Sequence, residues 1–210
     1  MLTLYSYWRS TTSYRVRAAL HLKGLAFETV SVNLLEGAQR DSAYAALNPG
    51  QGVPTLVLND GTTLTQSLAI IDYLDAIAKP RLLPDNPLAR ARVMAAAHAV
   101  ALDIHPVNNL RVVKHLQAAH GASPEDAKAW MQHWIIEGFT AVEAMVSADT
   151  PFAFGDAPDL ADICIVSQAY NAHRWDVDMT PFPRLARIEA ACLDHPAIAA
   201  AHPDNQPDAQ

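Results

Sequence analysis

The 210-residue chain predicts an α/β domain followed by an all-α domain. Three observations carry that reading. Strand and helix signals alternate over residues 1–79; the nine residues 79–87 hold three prolines, so 80–87 read as a linker; and residues 88–210 carry only helical patterns.

Taken in order, residues 2–6 (LTLYS) form a short apolar strand. Residues 15–23 place Val16, Ala19, Leu20 and Leu22 at helical spacing and stop at Gly24, an expected helix terminus. Residues 27–32 are β-rich, and 38–46 suggest a short, weak helix. Strands at 55–58 and 62–64 flank Asn59-Asp60-Gly61, where Asp-Gly signals a hairpin. A helix over 67–77 closes the half, giving the order βαβαββα and a sheet with parallel and antiparallel parts.

Beyond the linker, residues 88–112 predict a long Ala-rich helix that Pro106 should break or kink. A second long helix is expected over 125–146. A third opens at Asp159 as cap, with Asp162 three residues on, and a fourth covers 184–193. The polar tail after His202 is expected to be loose. Trp130 and Trp134, four residues apart, should pack on a neighbouring helix.

Composition narrows the function. Half the residues are hydrophobic and 18% are charged, a globular balance. A net charge of −7 with scattered basic residues argues against general nucleic-acid binding, which needs a clustered basic surface. Cys164 and Cys192 form no CxxC pair and should be small buried hydrophobes rather than a disulfide or zinc site. The histidines show no HxxxH or HExxH spacing, so no metal is expected. No basic leader and no stretch of about 20 apolar residues is visible, and a cytoplasmic protein without membrane contact is expected.

Two segments carry chemistry. Arg9-Ser10-Thr11-Thr12-Ser13-Tyr14-Arg15 follows the first strand and opens a helix, placing hydroxyls and backbone N–H groups where an anion binds well. Val53-Pro54 leads to a second helix start at Gln66-Ser67, whose amide, hydroxyl and N–H groups suit a carboxylate and an ammonium. In the second half, His105, Asn109 and Arg111 surround Pro106, and spacings of four and two need a local break to aim them together. Arg174 lies just past the capped third helix. With Arg9 and Arg111 it makes three arginines available to anionic groups in an otherwise acidic chain.

The segments YSYWRSTTSYRVRAALHLKG, ALNPGQGVPTL, QSLAIIDYL, DIHPVNNLRVV and DMTPFP resemble the zeta class of the glutathione transferase superfamily, from Tyr5 to about Pro203. The resemblance implies a thioredoxin-like N-terminal domain, a homodimer with the first long helix at its interface, and glutathione as cofactor. It implies glutathione contacts from Ser10, Thr11, Thr12, Arg15, Gln39, Val53, Gln66, Ser67, His105, Asn109 and Arg111. Gln39 is placed by resemblance alone, near the glycine carboxylate. Substrate contacts fall to Arg9, His105, Asn109, Arg111 and Arg174, and catalytic roles to Ser10, Thr12, Arg9, His105 and Arg174. A cis Val53-Pro54 bond is expected from the same source. The class pattern Ser-Ser-Cys is here Ser10-Thr11-Thr12, so no protein thiol acts at that position. The activity implied is glutathione-dependent cis–trans isomerisation of a small dicarboxylate-like substrate, maleylacetoacetate or maleylpyruvate, with a general conjugating transferase as the rival.

Overall fold

The computed structural model describes residues 1–209. They form two compact units: residues 1–81 with 194–209, and residues 82–193. The sequence assigns 88–210 to the helical half, but residues 194–209 cluster with the first unit.

In the first unit, strand β1 (Leu2–Ser6) runs into helix α1 (Thr11–Leu22) and returns as β2 (Phe27–Ser31). A 3₁₀ turn (Ala38–Arg40) and helix α2 (Ser42–Leu47) lead to the hairpin β3 (Thr55–Val57) and β4 (Thr63–Thr65), then α3 (Ser67–Ile77). The sheet order is β2-β1-β3-β4, with β1 parallel to β2 and antiparallel to β3. Leu4 faces Leu56 across β1 and β3, and both are fully buried beneath α1 and α3. Helix α1 starts at Thr11, four residues earlier than the apolar spacing suggests, because Ser10 caps it by accepting the Ser13 N–H. At its other end Lys23 is buried, and its ammonium donates to Asp75, to the Ala78 carbonyl and to the Pro80 carbonyl at 2.8–3.1 Å.

The expected loose tail is ordered instead. Helix α10 (Pro196–Ala200) packs on α1, and a 3₁₀ turn follows at Pro203–Asn205. Its hold on the unit is side-chain chemistry that no periodicity reveals. Buried Arg17 donates to the Ala201 carbonyl at 3.0 Å, and Asp208 accepts from Ser31 at 2.7 Å.

In the second unit, α4 (Pro87–His98) passes into a π-helical segment (Ala99–Ile104) and a short helical turn, α5 (His105–Val107), before α6 (Leu110–His120). The expected break near Pro106 is thus spread over ten residues. The widening comes before the proline, which itself sits where its missing N–H costs nothing, and the chain turns at Asn108-Asn109. Helix α7 (Pro124–Met145) packs on the π segment, and α8 (Leu160–Arg174) lies against α4. Helix α9 (Pro183–Asp194) ends this part of the chain. Asp159 and Asp162 form the capping box expected for α8. Cys164 and Cys192 form no disulfide with each other and are fully buried.

Candidate active site

The N-terminal cluster is built at the start of α1. Ser10 Oγ and Thr12 Oγ1 are 2.9 Å apart, and Thr12 donates to the Val53 carbonyl at 2.8 Å. Thr12 has one hydroxyl proton and gives it to Val53, so Ser10 is the donor within the pair. The Ser10 proton is therefore the one not committed to a carbonyl. It can turn toward an anion at the positive end of α1 with little rearrangement. Val53 precedes a cis Pro54, as expected. Its loop is braced from α2: Tyr44 Oη donates to the Gly52 carbonyl, and Asn48 Nδ2 donates to the same carbonyl at 2.8 Å and to Thr55 at 3.0 Å. Burial pushes the Tyr44 hydroxyl above its ordinary pKa, so it stays a proton donor.

Gln66 has φ +69°, a conformation unfavourable for a residue with a side chain, and such strain concentrates at functional positions. It precedes α3 without making a side-chain cap, and Ser67 is the buried first helical residue. The first-turn N–H groups of α3 are left for another acceptor. Gln39, in the 3₁₀ turn, has a buried Oε1 without a protein partner among the described residues. Thr11 is buried, and Arg15 is only 1% exposed, its side chain in the interior of the unit. Arg9 lies with its guanidinium 5.2 Å from the Trp8 ring centroid, a cation–π contact that limits its freedom. An uncapped helix start, an orphaned buried amide oxygen and a mobile hydroxyl proton fit a tripeptide that carries carboxylates, an ammonium and a thiol.

In the second unit, His105 opens the turn that follows the π segment and is half-buried. Asn109 caps α6 by accepting the Arg111 N–H at 3.1 Å, and Arg111 is exposed on the first turn. The helix is interrupted at Asn108-Asn109, between His105 and Arg111. Arg174 is exposed at the C-terminal end of α8, where the helix dipole favours a cation. Its guanidinium lies 6.0 Å from the Tyr170 ring centroid and donates to Asn171 at 3.4 Å.

Comparison with known proteins agrees with this geometry. Residues 9–77 match the glutathione S-transferase N-terminal domain family. Maleylacetoacetate isomerase of Rhizobium meliloti (strain 1021) is 48% identical over 207 residues, spanning 96% of this chain and 95% of that protein. The holo structure of a maleylpyruvate isomerase, described as a bacterial glutathione S-transferase in the zeta class, superposes with a TM-score of 0.96. It is 41% identical and covers 99% of this chain and 100% of that one. This chain is a zeta-class glutathione transferase. A related maleylacetoacetate isomerase from Anaeromyxobacter dehalogenans 2CP-1 was solved with dicarboxyethyl glutathione and citrate in its active site. It is 42% identical, covers 100% of this chain and 98% of that one, and has a TM-score of 0.89.

Three residues of this transferase escaped the sequence reading. Trp130 donates its Nε1 proton to the Val107 carbonyl at 2.8 Å and packs with Val113, Ala127 and Met131, which pins the turn between His105 and Asn109. Gly138 lies so close to Ile104 that a Cβ there would sit 2.1 Å from Ile104 Cγ1. Asn108 is buried, and neither amide atom has a protein partner among the described residues. The Trp130–Trp134 spacing pointed only to packing, and nothing in sequence distinguishes Asn108 from Asn109.

Proposed function

We propose that this transferase is a glutathione-dependent cis–trans isomerase that converts maleylacetoacetate to fumarylacetoacetate. One observation carries the reading: in the Ser10–Thr12–Val53 relay Thr12 gives its proton to a carbonyl, and the Ser10 proton, held only by another hydroxyl, can turn to a ligand at the start of α1. Glutathione supplies the thiolate that adds reversibly to the cis double bond and leaves after rotation. The chain's own residues do the rest. Ser10 donates its proton to the sulfur, and the α1 N-terminus favours the anion over the thiol. Thr12 accepts that proton before glutathione binds, and with its own proton held by the Val53 carbonyl it does not compete for the sulfur. Gln66, Ser67 and the uncapped start of α3 take the γ-glutamyl end, and Gln39 the glycine end. Arg9, Arg111 and Arg174 anchor carboxylates, while His105 donates to the carbonyl oxygen that gains charge when the double bond is attacked. Support comes from the relatives named isomerases and from the Anaeromyxobacter enzyme, whose dicarboxyethyl glutathione is a thioether carrying two carboxylates.

Isomerisation of maleylpyruvate is the second reading, favoured by the TM-score of 0.96 to an enzyme of that name. Assaying both substrates side by side with glutathione decides between them. A preference of tenfold or more in kcat/KM, about 1.4 kcal/mol of transition-state discrimination, names the substrate. Turnover of neither, with glutathione bound, leaves a conjugating transferase. Among the described residues no helix is long and apolar enough to cross a membrane. We also propose a cytoplasmic homodimer, a state that light scattering of the purified protein tests.

A further inference from the structure

Trp8 and Arg9 are the central residues of a tight turn, closed where the Ser10 N–H donates to the Tyr7 carbonyl at 2.9 Å. Turns of this kind interconvert by flipping the middle peptide plane, here that of Trp8-Arg9, and each form aims the following residues differently. Two contacts clamp the turn, one on the peptide that flips and one on the Tyr7-Trp8 peptide before it. Arg17 Nη2 donates to the Trp8 carbonyl at 2.9 Å, and Asp208 Oδ2 accepts the Trp8 N–H at 3.3 Å. Both clamps belong to one construction with the C-terminal segment. Arg17, fully buried, also donates through Nε to the Ala201 carbonyl at 3.0 Å and through Nη1 to Ser6 at 3.0 Å. Asp208 also accepts from Ser31 on β2 at 2.7 Å. Between them, the His202 ring meets Tyr14 of α1 edge-on, with centroids 5.8 Å apart.

From these contacts we propose that residues 201–208 form a strap that sets the Trp8-Arg9 turn, with Asp208 as its positioning residue. The strap orients Arg9 and Ser10. A turn free to flip keeps both residues but spreads Ser10 over orientations that do not meet the sulfur. The inference rests on the reading of Ser10 as donor to the glutathione thiolate.

The test compares Asp208→Ala and Asp208→Asn in the full chain. Hydrogen exchange at the Trp8 amide is read without ligand, and thiolate absorbance is read with saturating glutathione at neutral pH. In Asp208→Ala, Trp8 exchange accelerates about tenfold or more and the thiolate signal falls at least about twofold, while Tm stays within about 3 °C. In Asp208→Asn both readouts return to within about twofold of wild type, because the amide oxygen still accepts. Wild-type exchange and absorbance in Asp208→Ala overturn the proposal. So does loss of thiolate in both variants together with a large fall in Tm, which marks a contribution to folding alone. Ser10→Ala run in parallel separates the two ideas. An unchanged thiolate signal there removes the reading of Ser10, whereas Trp8 exchange in Asp208→Ala still reports on the strap.

Discussion

Replacing Ser10 by alanine separates two tasks that one hydroxyl performs. As the α1 cap, Ser10 Oγ accepts the Ser13 N–H at 3.2 Å, and losing such a cap costs about 1 kcal/mol. For a chain of this size that lowers Tm by about 2–4 °C. As donor to the bound sulfur it makes a charge-assisted hydrogen bond worth about 1.5–3 kcal/mol, so its loss raises the bound thiol's pKa by about one to two. The direction follows because a donor stabilises the charged form, and removing it favours the neutral thiol. Titration of thiolate absorbance in the glutathione complex reads this directly, and kcat at neutral pH should fall roughly 10- to 100-fold. Thr12→Val is the control. It loses both the 2.8 Å bond to Val53 and the acceptor 2.9 Å from Ser10 Oγ, but leaves the Ser10 proton available to the sulfur, so the thiol should titrate close to wild type. The proton assignment fails if Thr12→Val suppresses the thiolate and Ser10→Ala does not.

Further outcomes follow from the same structure. Arg111→Ala or Arg174→Ala should raise KM for the substrate about tenfold or more with little change in glutathione affinity, since each side chain serves a substrate carboxylate; steady-state kinetics check this. Gly138→Ala should cost about 1–3 kcal/mol by denaturant unfolding, because its Cβ meets Ile104, which is only 1% exposed. The same clash pushes the residue before His105, so kcat should fall as well. Burial and the facing Asp159 charge hold the Asp162 carboxyl well above the usual carboxylate range. The folded chain therefore binds that proton more tightly than the unfolded chain. Its contribution to stability is complete below the ordinary carboxylate pKa and is lost as pH rises through the raised value. Thermal melts at several pH values should show this slope flattened in Asp162→Asn. That variant's overall Tm should be lower, because an amide cannot accept from both Ala153 and Asp159 N–H groups as the carboxylate does.

Much of the fold was legible because it depends on local rules. Apolar and β-rich runs and helical spacing marked the strands and helices within residues 1–77. Asp60-Gly61 marked the hairpin, and Asp159 with Asp162 marked the capping box. The segment around Ser10 was legible for the same reason, since a helix start after a strand is a local feature with its own chemistry. Its long-range partners were not legible. That Thr12 bonds to Val53, 41 residues away, decides which hydroxyl is free to donate.

Sequence by itself therefore pointed to the kind of chemistry: hydroxyls at one helix start, a Val-Pro turn, and single arginines in an acidic chain. Tertiary structure alone decided how these groups share their protons and what fixes them. The tail of PDNQPDAQ reads as loose because it has no apolar period, yet Asp208 and Ala201 reach Trp8, Ser31 and Arg17 across nearly the full length of the chain. The physical reason is that apolar periodicity records which face of an element is buried. A hydrogen bond between single polar atoms leaves no period, and only the folded chain brings its two ends together.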